Sequence, residues 1–172
     1  LFDTFTRYFE PDNGQALISV LRKLGCRVHI AGDVNARPLC CGRTFLSAGL
    51  IDEARTEAHR LICALTPHLK RGIPIIGLEP SCLLTLRDEY PALLTAPLTN
   101  ELSEQSLLLE EFIARSHEQL RFDFETNAPC RVAVHGHCHQ KAFATLDAMT
   151  STLQLFPGIE AEFITSSCCG MA

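Results

Sequence analysis

Cys40-Cys41-Gly42 and Cys168-Cys169-Gly170 constrain this chain more than anything else in it. Adjacent cysteines put two soft sulfurs in one loop, and the glycine behind them lets the backbone approach whatever they hold. The lone cysteines Cys82 and Cys138 stand at comparable distances from the pairs. Together they read as a metal or iron–sulfur site in a duplicated scaffold. The thiolate is the metal-binding form, and soft thiolates select iron–sulfur clusters and zinc. The plainer alternative is two buried vicinal pairs that hold nothing, since free cysteine is among the most buried residue types.

The remaining composition narrows the setting. With 47% hydrophobic and 20% charged residues, 172 residues make a folded protein with a real core, as one domain or two small halves. A net charge of −5 gives no electrostatic footprint for nucleic acid. No apolar run reaches the roughly 18 residues that a membrane span needs. Nine cysteines are an odd number, no signal segment is present, and vicinal pairs make poor disulfide staples. A reducing cytoplasm with metal-bound thiolates is the expected setting. The chain opens without methionine and closes two residues after Gly170, which reads as a piece of a longer protein.

Short β-branched runs alternate with helical patterns. Buried strands are predicted at 26–31, 73–78, 131–135 and 161–165, punctuated by Gly25, Gly72, Pro129 and Gly158. Helices are predicted at 13–24, with Leu17, Val20, Leu21 and Leu24 on one stripe, and at 48–69, with Leu50, Ala54, Ala58, Leu61, Ile62 and Leu65. Further helices are predicted at 101–120, covering the core, and at 140–155. The expected fold is α/β: two pseudo-repeated βαβ halves with parallel sheets and crossover helices, and ligands at the carboxyl edge of the strands. The expected divisions are 1–97 as a first repeat, 98–128 as a connecting helix and 129–172 as a second repeat.

Every candidate ligand then lies just past a strand and near a helix start, where open parallel sheets bind their ligands. Cys82 follows the strand at 73–78, Cys138 the strand at 131–135, and Cys168-Cys169 the strand at 161–165. Helix N-termini add unsatisfied N–H groups that favour thiolates. This topology, unlike sequence spacing, can unite Cys41, Cys82, Cys138 and Cys169 in one site, with Cys40 and Cys168 as neighbours or extra ligands. His137 and His139 flank Cys138 as ligands or as helix caps. Cys26, Cys63 and Cys130 are expected to pack in the core. His29, His59, His68 and His117 are isolated.

At this point the chain resembles the cysteine-rich CCG domain of iron–sulfur oxidoreductases. The family's motif runs Cys, a long spacer, Cys-Cys-Gly, a second long spacer and Cys-x-x-Cys, often in two copies. Here 29 residues separate Cys138 from Cys168, and 37 separate Cys41 from Glu79-Pro80-Ser81-Cys82. The wording of residues 3–11 and of His135-Gly136-His137-Cys138-His139-Gln140-Lys141-Ala142 is most similar to the C-terminal part of fused FAD and iron–sulfur D-2-hydroxyacid dehydrogenases. In the first copy the opening Cys is absent, with Asp3-Thr4 near its place, and Glu79 stands where another Cys belongs. Glu79 is either an oxygen ligand or a helix cap.

The resemblance implies a cluster of the [4Fe–4S] type, or zinc in its place. It also implies upstream flavin and ferredoxin-like domains as partners, because neither a Gly-x-Gly-x-x-Gly loop nor a ferredoxin-type Cys run is present. Two functions from different classes follow. One is a redox module passing electrons from the parent's flavin to an acceptor. The other is a docking or assembly module with a structural zinc. A metal-free thiol enzyme with Cys138 beside His137 or His139 leaves the doubled Cys-Cys-Gly unexplained.

Overall fold

The computed structural model describes residues 1–32, 37–95, 98–122 and 129–166. These fall into two compact units, Leu1–Leu109 and Glu110–Ala172. Each contains one short parallel strand pair whose strands are joined through helices, so the chain is mixed α/β.

In the first unit α1 (Thr4–Tyr8) begins at Asp3, whose carboxylate accepts from the Thr6 amide at 3.0 Å and the Thr6 hydroxyl at 2.6 Å. Helix α2 (Pro11–Lys23) opens on a proline, which has no amide proton to leave unsatisfied at a helix start, and buries Leu17 and Leu21. After the short α3 (Arg43–Ser47) comes α4 (Ile51–Leu69), whose buried face carries Ala54, Ala58, Leu61, Ile62, Leu65 and Leu69. That spacing is the helical period of an amphipathic element, and it makes α4 the backbone of the core. Strand β1 (Ile75–Gly77) leads into α5 (Pro80–Thr85), α6 (Glu89–Leu93) and α7 (Thr99–Gln105). Strand β2 (Ser106–Leu108) then pairs parallel with β1, Ile75 opposite Ser106 and Gly77 opposite Leu108. The core joins α4, β1, the end of α5, α6 and α7 through Leu61, Leu65, Ile75, Leu86, Tyr90 and Leu102.

The second unit holds α8 from Glu110 onward (Leu109–Ser116), β3 (Cys130–Val134), α9 (Cys138–Ala142), α10 (Leu146–Gln154) and β4 (Ile159–Phe163). β3 pairs parallel with β4, Cys130 opposite Ile159 and Val134 opposite Phe163.

The structure corrects several expectations. Residues 26–31 form no strand: the segment leaves α2 through Gly25 at φ 89°, Ile30 is exposed, and no ladder partner lies among the described residues. The helix expected at 101–120 is interrupted by β2, because a leucine run fits a buried strand as well as a helix and β1 supplies the ladder. The expected 131–135 strand exists, but its residues are exposed or half-buried. Cys63 and Cys130 are exposed, not core. On α4 the buried stripe passes through Leu61, Ile62 and Leu65, which turns Cys63 outward.

The helix expected at 140–155 is two helices. Ala144 sits at φ 53°. Its amide donates to the Lys141 carbonyl at 3.3 Å, and the Thr145 amide donates to the Gln140 carbonyl at 2.9 Å. This is the double closure of a helix C-terminus that ordinarily places glycine at the left-handed position. Ala144→Gly is expected to stabilise the second unit by roughly 0.5–1 kcal/mol, read as a higher urea midpoint at unchanged m-value. An unchanged or lower midpoint would mean that Ala144 costs nothing there.

Candidate metal centre

Three thiols from two distant loops meet in the first unit. Cys40 and Cys41 precede α3, whose N-cap is Gly42, and Cys82 lies in the first turn of α5 at the carboxyl end of β1. Cys41 and Cys82 are buried and Cys40 is half-buried. The Cys40 thiol hydrogen-bonds to Cys41, Cys41 to Cys82, and Cys82 to the Glu79 carboxylate. Cys40 Sγ also accepts from the Gly42 amide at 3.4 Å and from Thr4 Oγ1 at 3.9 Å. Thr4, beside Asp3, thus touches the Cys40 thiol.

The local backbone explains this convergence. Glu79 is the N-cap of α5: it accepts from the Cys82 amide at 2.5 Å and from Ser81 Oγ at 3.0 Å, while Pro80 opens the helix. Of the two roles open for Glu79, the structure has it capping. Tyr90, fully buried, donates its hydroxyl to the Cys41 carbonyl at 2.9 Å. Burial pushes that phenol far up, and the neighbouring thiols push it further.

Without a metal these groups hold their protons. The hydrogen bond donated to Cys41 raises the Cys40 thiol most, and burial adds to it. For Cys41 the largest influence, the bond from Cys40, pulls downward. The bond to Cys82, burial and the Cys82 charge outweigh it and push the thiol up to about 12. For Cys82 the bond from Cys41 again pulls down, but burial and the carboxylates of Glu79 and Asp3 win and raise it. An all-sulfur donor set in a dry, acidic surrounding fits a soft cation or an iron–sulfur group, whose charge replaces the protons.

In the second unit β3 delivers His137, Cys138 and His139, whose ligand atoms lie within 4.8 Å of one another. His137 is the N-cap of α9: its Nδ1 accepts from the His139 amide at 3.2 Å, and its own amide donates to Gln140 Oε1 at 2.9 Å. Cys138 Sγ stands 3.8 Å from the same Nδ1. His137 thus caps α9 in a group of three side chains that could hold a metal ion. Cys168 and Cys169 lie outside the described residues.

Gln140 also donates to Glu110 Oε1 at 2.6 Å. Burial is the main reason that the Glu110 carboxyl is raised above its ordinary value. A folded-state pKa above the unfolded one favours folding below the ordinary glutamate pKa, and this advantage is lost as pH rises through the folded value. Glu110→Gln keeps the acceptor and removes the titration. The variant should match the wild type in acid and gain on it as pH rises from about 4 to about 8, as measured by Tm. A constant difference across that range would show that Glu110 does not titrate abnormally.

Residues 4–87 match the family model of the cysteine-rich domain CCG, a span that contains Cys40, Cys41, Glu79 and Cys82. The part from Cys138 onward lies outside that match. The chain is 28% identical over 169 residues to one of the subunits of anaerobic glycerol-3-phosphate dehydrogenase from Escherichia coli, covering 98% of this chain and 41% of the relative. It is 28% identical to D-2-hydroxyglutarate dehydrogenase of Pseudomonas putida, covering 99% of this chain and 16% of the relative. It is 26% identical to lactate utilization protein A of Oceanobacillus iheyensis, covering 92% of this chain and 64% of the relative. The chain therefore spans less than two thirds of each of these proteins. No solved structure matches it. Among the described residues no helix is long and apolar enough to cross a membrane.

The sequence missed the residues that hold the CCG turn. Glu57 and Arg60 sit on α4 and Tyr90 on α6, and none belongs to a cysteine motif. Glu57 carried a readable signal: a carboxylate on the same helical stripe as Ala54, Ala58 and Leu61.

Proposed function

We propose that this chain is a metal-binding redox module of a dehydrogenase, holding an iron–sulfur cluster of the [4Fe–4S] type at its cysteines. The observation that carries this reading is the run of three thiols, Cys40 to Cys41 to Cys82, ending on Glu79. We propose Cys41 and Cys82 as ligands in the first unit, with Cys40 beside them, and keep Cys138, Cys168 and Cys169 as the further ligands expected from the sequence. His137 and His139 stand next to Cys138 as further donors. The names of the relatives are those of dehydrogenases or of lactate utilization, which favours electron transfer over a purely structural role. We place the module in a reducing compartment, downstream of an FAD domain that oxidises a D-2-hydroxyacid.

When bound, such a group supplies one-electron transfer between a donor and an acceptor. The chain's own residues do the rest. Glu79 and the start of α5 fix Cys82, Tyr90 fixes the Cys41 carbonyl, and burial keeps water from the Cys41 and Cys82 thiols. An open groove of about 430 Å³ beside Glu79 is lined by Glu10 and Glu79 and by no basic side chain. A hydroxyacid carboxylate finds no cation in that groove.

The mixed nitrogen and sulfur donors of His137, Cys138 and His139 favour one second reading, a structural zinc in a docking module. Metal and acid-labile sulfide analysis of anaerobically purified protein separates the two. Iron with sulfide is expected. Zinc without sulfide would move the chain to the second reading, and neither metal would overturn both.

A further inference from the structure

The Cys40-Cys41-Gly42 turn is clamped by a charge cluster that is built on the buried Glu57 and contains no cysteine. Glu57 is 3% exposed, on the face of α4 that packs in the core. Its carboxylate receives the Arg37 guanidinium on one oxygen and Arg60 Nη1, at 2.5 Å, on the other. Arg60 then reaches past Glu57. Its Nη2 donates to the Arg37 carbonyl at 2.8 Å and to the Pro38 carbonyl at 3.3 Å. One guanidinium thus ties α4 to the two residues at which the chain approaches the cysteine pair. On the far side of the pair, a Cβ on Gly42 would stand 3.4 Å from Glu57 Cβ, so the same glutamate also supports the turn's exit.

The geometry points to Arg60, oriented by Glu57, as a positioning residue for the Cys40–Cys41 thiols. It acts through the backbone of residues 37–38 rather than by touching the ligand. One feature makes this more than packing. Nη1 on Glu57 and Nη2 on the two carbonyls use both arms of a planar fork, which arginine has and lysine lacks. Without Arg60 the approach to Cys40 loses its anchor while Cys82, held independently by Glu79, stays in place. The expected defect is therefore a site with fewer sulfurs, not an absent one.

The inference rests on the proposal that these thiols bind metal, and the test keeps the two apart. Cobalt(II) is titrated into the reduced, metal-free 172-residue chain, and the thiolate-to-cobalt charge-transfer band is followed. Its intensity per bound cobalt counts the thiolates. Arg60→Ala should weaken cobalt binding about tenfold or more and lower the intensity per cobalt. Arg60→Lys, which keeps the charge and the aliphatic stem, should fall between the two and covers the case in which the alanine variant fails to fold. Arg55→Ala, on the exposed side of the same helix, should behave as the wild type. A wild-type chain without the band would overturn the metal-binding proposal itself. A normal band in the wild type and an unchanged intensity per cobalt in both Arg60 variants would overturn only the role of Arg60. A lower Tm with unchanged intensity would do the same, by reducing Arg60 to a packing residue.

Discussion

Cys41→Ser is expected to empty the metal centre, whereas Cys63→Ser is expected to leave it full. Cys41 is the middle thiol of three: it accepts from Cys40 and donates to Cys82, and it is 4% exposed. Serine keeps the shape but offers a hard hydroxyl that does not ionise at neutral pH, so the site loses its central soft donor. Metal content should fall to near background. The metal-free protein should lose only about 1–3 kcal/mol, because the new hydroxyl stays buried with a poorer partner than the thiol had. Cys63 lies on the outer face of α4 and is exposed, so its replacement should change stability by no more than about 0.5 kcal/mol and metal content not at all. Metal analysis and urea unfolding of the two variants read both quantities. Equal metal loss from the two would mean that the centre is not where the three thiols meet.

Which parts of this arrangement were legible depended on whether the signal was local. Helices α2 and α4 could be read because Leu17 and Leu21, or Ala54 through Leu69, repeat at the helical period on one face. β1 could be read because the 73–78 run is bracketed by Gly72 and Pro80. β2 could not, because Leu107 and Leu108 sit in a leucine run with no alternation and become a strand only through pairing with Ile76 and Gly77. The break at Ala144 was hidden because alanine is the strongest helix former, and here it takes a left-handed position. Within the site, Cys82 was legible from its place after a strand, as was the choice facing Glu79. The cap won because the Cys82 amide is the nearest unsatisfied donor at the start of α5. The clamp of Glu57, Arg60 and Tyr90 was not legible as a unit, since its members come from α4 and α6 and meet the cysteine turn only after folding.

Gly42→Ala should damage both stability and the thiol site, and Gly49→Ala shows why by contrast. Both glycines are in left-handed backbone, at φ 81° and φ 75°. A side chain in that region costs roughly 1–2 kcal/mol at either position. The surroundings differ. A Cβ at Gly49 meets nothing within 4 Å, whereas one at Gly42 would stand 2.9 Å from the Ala54 carbonyl oxygen and 3.3 Å from Ala54 Cα. Those are backbone atoms of α4, so relief requires the cysteine turn to move away from the helix. Overpacking of that kind adds about 1–3 kcal/mol. Gly42→Ala should therefore cost roughly 2–5 kcal/mol against roughly 1–2 for Gly49→Ala. Because Gly42 directly follows Cys41, moving the turn displaces Cys40 and Cys41 relative to Cys82, so metal binding should fall with stability in the first variant and survive in the second. Paired urea titrations with metal analysis decide it. Equal destabilisation by the two alanines would mean that backbone strain alone operates at Gly42 and that the packing of the turn on α4 contributes nothing to the site.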